Sequence, residues 1–212
     1  MLWNPVRQTP VTTVTIDSFE DQDLAEYTNV DGGDWTFVTS PVRNGTFAAQ
    51  IDGFNEIYSL PGDGLPAYYG RGNGTLRVSV RSDGNASPTA IPWFRFGAAD
   101  NANSYYVRLD FSTGDVGLNK EVTGSTSTIA NTSITVSDGE WYEYEIIWDD
   151  GTLGGSVGDL TLTVTRVSDA TELTTLTSND TDAALESNEG IGFVGQQFAS
   201  GEAVTWDAIT KE

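Results

Sequence analysis

Trp141-Tyr142-Glu143-Tyr144-Glu145-Ile146-Ile147-Trp148 is the stretch that decides the fold. A period of two places Tyr142, Tyr144, Ile146 and Trp148 on one side and Trp141, Glu143 and Glu145 on the other, as in a strand with one buried and one wet face. The same pattern recurs on both sides of it. Thr75 to Arg81 turns Leu76, Val78 and Val80 one way, and Pro92 to Gly97 turns Phe94 and Phe96 inward with Trp93 and Arg95 outward. Tyr105 to Phe111 sets Tyr105, Val107, Leu109 and Phe111 against Tyr106, Arg108 and Asp110. Asp159 to Val167 puts Leu160, Leu162 and Val164 inward and threonines outward, and Gly190 to Val194 and Ala203 to Ile209 supply two late strands. Glycine-rich clusters such as Asp31-Gly32-Gly33-Asp34, Ser82-Asp83-Gly84-Asn85 and Gly154-Gly155 separate them as turns. Many short strands with no long helical period predict an antiparallel two-sheet sandwich over residues 13–212. Its core is expected to hold Trp35, Phe37, Tyr58, Tyr142, Tyr144, Trp148 and Phe193. Residues 1–12, with two prolines and an isolated Trp3, read as an arm outside it.

Composition narrows the chemistry. The 212 residues carry 31 Asp and Glu against 10 Lys and Arg, a formal net charge of −21, and only Lys120 and Lys211 are lysines. Such acidity argues against nucleic acid and against docking on an anionic membrane, since both need a basic footprint. Lysine depletion fits a surface adapted to concentrated salt, where repulsion among carboxylates is screened within about 3 Å at 1 M. The chain has no cysteine and no histidine. Disulfides, thiolate sites, the usual zinc ligands and a Ser-His-Asp triad are therefore excluded. Neither a secretory signal nor a run of about 18 apolar residues is present, so membrane insertion is not expected.

Three segments resemble the concanavalin A-like, or laminin G-like, jelly rolls, notably the acidic versions of halophilic archaea and their viruses. They are Ile16-Asp17-Ser18-Phe19-Glu20-Asp21-Gln22-Asp23-Leu24 with the following Tyr27, Gly139-Glu140-Trp141-Tyr142-Glu143-Tyr144-Glu145-Ile146, and the closing pair Gly190-Ile191-Gly192-Phe193 and Val204-Thr205-Trp206-Asp207-Ala208-Ile209. The resemblance spans residues 12–212. It implies an all-β jelly roll, a fold that hosts lectins, hydrolases, adhesins and structural modules alike.

Two clusters could carry chemistry. Asp17, Glu20, Asp21 and Asp23 offer hard oxygen donors suited to calcium, which takes six to eight of them. The resemblance implies that such an ion ties the first and last strands, which brings in Asp207. The second cluster follows from strand parity: Arg77, Arg81, Arg95 and Arg108, with Trp93 and Tyr106, fall on the outward faces of three successive strands. If those strands are neighbours, one sheet carries a patch where sugars stack on rings and arginines hold acidic groups; the alternative is ion pairing with Asp110, Glu143 and Glu145. Glu143 and Glu145, about 7 Å apart on one strand face, resemble a glycosidase pair only loosely, because the E-x-D-x-x-E run of jelly-roll glucanases is missing.

The function expected from these readings is a non-catalytic surface module. Its first setting is a virion protein of a halophilic archaeal virus (tail fibre, turret or capsid decoration), homo-oligomeric and anchored to other virion subunits through residues 1–12. The alternative is a carbohydrate-binding domain of an extracellular or cell-surface protein that recognises surface glycans, with a polysaccharide hydrolase ranked third.

Overall fold

A computed structural model of the protein describes residues 13–29, 35–60, 63, 74–84, 88–100, 102–149, 158–182, 185, 190–196, 198 and 200–212. The expected arm of residues 1–12 lies outside the described residues. Strands are numbered in chain order. The first sheet runs β13 (Thr171–Asn179), β12 (Asp159–Arg166), β11 (Trp141–Asp149), β6 (Gly74–Asp83), β15 (Ala203–Lys211), β4 (Ala48–Ile51) and β3 (Trp35–Val38), with β1 (Val14–Asp17) also pairing β15. The second runs β10 (Ser125–Ser133), β9 (Asp115–Val122), β8 (Asn103–Leu109), β7 (Trp93–Asp100), β14 (Gly190–Gly195), β5 (Asn55–Ser59) and β2 (Thr28–Asn29). Every pairing is antiparallel.

The period of two explains how the sheets close on each other. In β11 the apolar set Tyr142, Tyr144, Ile146 and Trp148 is fully buried, while Glu143 and Glu145 stay half-buried on the far side. Register then stacks like on like: Tyr144 lies between Val78 of β6 and Val164 of β12, and Ile146 between Leu76 and Leu162. The facing sheet supplies Phe94, Phe96, Tyr105, Val107, Leu118 and Phe193. Phe193 sits at the centre, 5.0 Å ring to ring from Trp206 of the opposite sheet and 5.4 Å from Phe94.

Two departures from simple alternation have local causes. Trp206 and Ile209 are both buried although three positions separate them. The register of β15 against β6 shifts between Asp207 and Thr210, and Ala208 takes φ 50°, so a bulge turns Ile209 back into the core. In β5 the inward position falls to Ile57, not Tyr58, so Tyr58 lies on the outer face opposite Gly192. The expectation that Tyr58 is core is thereby corrected. Trp35 and Phe37 pack against the core but remain partly exposed on the edge strand β3. Across the edges, Lys120 of β9 reaches Asp180 at 2.6 Å and Asp182 at 3.1 Å, just beyond β13, and clasps one sheet to the other.

Candidate functional site

The six residues expected to form one arginine and aromatic patch divide between the two sheets. Arg77 and Arg81 belong to β6, whereas Trp93, Arg95, Tyr106 and Arg108 belong to β7 and β8 of the other sheet. The break has a simple origin: β6 and β7 are consecutive in sequence, but the chain crosses between sheets from one to the next.

On the first sheet the arginines are consumed by carboxylates. Arg77 holds Glu145 at 2.6 Å and Glu212 at 2.8 Å, and Arg81 holds Asp83 at 2.6 Å. Arg43, which sequence reasoning passed over, takes Glu143 at 2.6 Å and also donates to Ser79. Glu143 and Glu145 are thus each engaged by an arginine, the arrangement expected of charge balancing within a sheet.

On the second sheet the outer face is a regular grid. Trp93 of β7 faces Arg108 of β8, which faces Gly117 of β9, which faces Asn131 of β10. The neighbouring row runs Arg95, Tyr106, Asn119 and Thr128. Trp93 lies flat on Tyr106, with centroids 4.6 Å apart and 14° between planes, and the Arg95 guanidinium sits 5.6 Å and 5.7 Å from the two rings. Tyr106 is buried, so within this pair the more exposed ring is that of Trp93. Arg95 is only 3% exposed; its Nε lies 2.7 Å from Glu56 as an ion pair, and its Nη1 donates to Glu121 (2.8 Å) and Ser104 (2.7 Å). Its surroundings make it a structural support for the stacked rings.

Arg108 differs from the other arginines of these faces. Its side chain is 41% exposed, and its contact with Asp110 is long, 3.4 Å. Asp110 is already committed to the Ser112 amide and hydroxyl and to the Thr113 amide. Burial raises the Asp110 carboxyl, but those hydrogen bonds outweigh it and hold the group below its ordinary value. Beside Arg108 lies a recess of about 80 Å³ walled by Asp115, Gly117, Asn119, Thr128 and Asn131. A register shift between Thr128 and Ala130 makes this wall: it brings Thr128 opposite Asn119 and Asn131 opposite Gly117, so that both stand on the outer face although three positions apart. A bulge of this kind left no mark in the alternation of β10, whose residues are nearly all polar and small. Sequence reasoning therefore missed Asp115, Asn119, Thr128 and Asn131.

The carboxylates expected to hold calcium also part company. Asp17 accepts from the Phe19 amide at 2.7 Å and the Tyr27 hydroxyl at 2.8 Å. Glu20 accepts from the amides of Thr46 and Phe47, which hold its carboxyl below the ordinary value. Asp207, fully buried, accepts from the amides of Arg43 and Asn44; burial raises its carboxyl despite these donors. These three serve the backbone of two turns. Asp21 and Asp23 remain exposed and meet Glu26 instead, with carboxylate oxygens within 4.8 Å of one another, a triad that could hold a hard cation.

Asp17 gives a pH prediction. Burial pushes its carboxyl from 3.8 up to about 6. The folded state then binds this proton more tightly than the unfolded chain, so the stabilisation is fully present below pH 3.8 and is lost as pH rises through about 6. Going from pH 7 to pH 5, the wild type should gain stability relative to Asp17→Asn, whose amide does not titrate. Parallel stability profiles for the two proteins across that window would contradict the assignment.

Neither a family model nor a curated protein matches the chain. Solved structures do. Carbohydrate-binding module CBM66 from Bacillus subtilis is similar over 90% of this chain and 97% of its own, at 15% identity and a TM-score of 0.58. Lectin II from Ulex europaeus is similar over 94% and 96%, at 12% identity and a TM-score of 0.63. The CBM2 module of the evolved Dit of Lactobacillus casei BL23 phage J-1 is similar over 94% and 95%, at 12% identity and a TM-score of 0.58. The protein is therefore an all-β, two-sheet antiparallel sandwich whose fold matches concanavalin A-like structures such as the legume lectins. At these identities the likeness is one of fold, and it lends no support to a halophilic archaeal or viral source.

Proposed function

We propose that this protein is a non-catalytic carbohydrate-binding module that presents the outer face of the β7–β10 sheet to glycans. The observation that carries the reading is the open, polar recess lined by the loosely held Arg108, with Trp93 opposite Arg108 in register on the next strand, on a sandwich of the lectin type. An aromatic face bordered by a few convergent polar groups is the chemistry sugars need, since their rings are apolar on one side and hydroxylated at the edge. Similarity to lectins and carbohydrate-binding modules supports the carbohydrate reading over the virion reading. A virion or cell-surface location is a setting for the same activity, and mass spectrometry of purified particles tests the virion setting.

The test is a glycan array probed with the intact protein in molar salt. Wild type should bind, Trp93→Ala and Arg108→Ala should each lose about tenfold or more in affinity, and Arg108→Ala, whose side chain is 41% exposed, should keep the wild-type melting temperature. Binding unchanged in both variants would move the site elsewhere, and no binding to any glycan would remove the function. The same array read in chelator and then in calcium separates the Asp21, Asp23 and Glu26 triad from the sugar site. The triad supplies three side chains of the six to eight ligands calcium takes, so calcium should leave glycan binding unchanged.

A further inference from the structure

We infer that the recess between β8, β9 and β10 takes one edge of an uncharged sugar, gripping a pair of neighbouring hydroxyls; this rests on the carbohydrate-binding reading above. Asn119 anchors the argument. It is only 6% exposed, and its Nδ2 is buried with no hydrogen-bond partner while its side chain lines the recess. A buried donor left unpaired is costly, and an incoming hydroxyl oxygen would satisfy it. Gly117, two residues earlier on the same face, leaves room for the Asn119 amide to lie against the sheet: a Cβ there would be 2.7 Å from Asn119 Nδ2.

The charge pattern selects the ligand class. The walls carry both signs, the Arg108 guanidinium and the Asp115 carboxylate. A sugar hydroxyl can serve both, accepting from Arg108 or Asn119 and donating to Asp115, whereas a uronate or sulfate would accept from the first and be repelled by the second. The wider field acts the same way. Arg95 beneath the rings is already outnumbered by Glu56 and Glu121, Arg108 already faces Asp110, and the whole chain carries −21. Size sets how much of the sugar enters. About 80 Å³ is well below the roughly 300–1,000 Å³ of pockets that enclose a whole ligand. Two hydroxyls or a hydroxymethyl group fit, and the ring itself would lie outside, towards Trp93, which faces Arg108 in register.

The experiment is an array carrying neutral, uronic-acid and sulfated glycans, followed by titration of the tightest neutral glycan at two salt concentrations at which the fold is intact. Expected are binding to neutral glycans, an affinity that changes less than about twofold with salt because no ligand charge is screened, and a loss of about tenfold or more in Asn119→Asp. Asn131→Ala, on an exposed position of the edge strand β10, should also weaken binding and cannot do so by unfolding the core. Binding confined to acidic glycans, weakening with salt, would overturn the uncharged-ligand inference and leave the carbohydrate function standing. Neutral binding untouched in both variants would overturn the recess as its site. Absence of any glycan binding would overturn both.

Discussion

Arg95→Met should destabilise the fold by about 3–5 kcal/mol, because it removes one partner of a buried ion network and strands the others. The guanidinium is 3% exposed and bridges two carboxylates from different strands, Glu56 of β5 and Glu121 of β9, with Ser104 of β8 between. Methionine fills a similar volume but satisfies neither acid, so both must become protonated or draw in water. For a domain of this size the melting temperature should fall on the order of 10 °C. High salt should not rescue it, since buried pairs are screened far less than surface ones. Neutralising the acids should: the triple variant Arg95→Met, Glu56→Gln, Glu121→Gln is expected to recover most of the loss. Wild-type stability in Arg95→Met alone would mean that the acids are not held charged in the fold. Because this residue supports the Trp93–Tyr106 stack from beneath, its replacement says nothing clean about glycan binding, and Arg108 is the arginine that does.

The fold was legible because its signal is local. Period-two alternation in residues 141–148, 75–81 and 105–111 depends on which neighbours are apolar; burial follows it position by position in 141–148, and in the other two every inward residue is buried, with Ser79, Tyr106 and Asp110 buried on the outer faces as well. The site was legible only in part, because it depends on which strands become neighbours. Parity correctly turned Arg77 and Arg95 away from the core, yet it carries no information on the crossover that places β6 and β7 in different sheets. The same limit applies to the acidic segment. Spacing brought Asp17, Glu20, Asp21 and Asp23 together on paper, while the amides of Phe19, Thr46 and Phe47 claim Asp17 and Glu20 in the fold. Glu202 makes the point in reverse. It looks like one more surface carboxylate in a glycine turn, but it is buried and accepts from Ser82, Thr89 and Ala90, fastening the segment before β7. In a chain this rich in carboxylates, composition hides the few that are structural.

Phe193→Ala should cost about 3–5 kcal/mol, the range for emptying a large aromatic site in a core. The residue lies on β14, inside its sheet between β7 and β5, and its ring meets Trp206 of the opposite sheet at 5.0 Å. It also meets Phe19 and Tyr27 from the chain's first turns, at 6.0 Å each, and Trp35 at 6.2 Å. These neighbours belong to different strands and turns held by their own hydrogen bonds, so they cannot close together over the space left behind. The transfer and cavity costs therefore add. Leu173→Ala is the control. Leu173 is partly buried on β13, the last strand of its sheet, where neighbours can relax and the expected loss is under about 1.5 kcal/mol. Phe193→Leu should fall between the two, since it keeps part of the volume. Urea unfolding of the three variants gives the order directly, provided the slope with denaturant is unchanged. A Phe193→Ala loss no larger than that of Leu173→Ala would show that the sheets are not joined through this ring, and with it would go the account of how the first turns, β14 and β15 share one core.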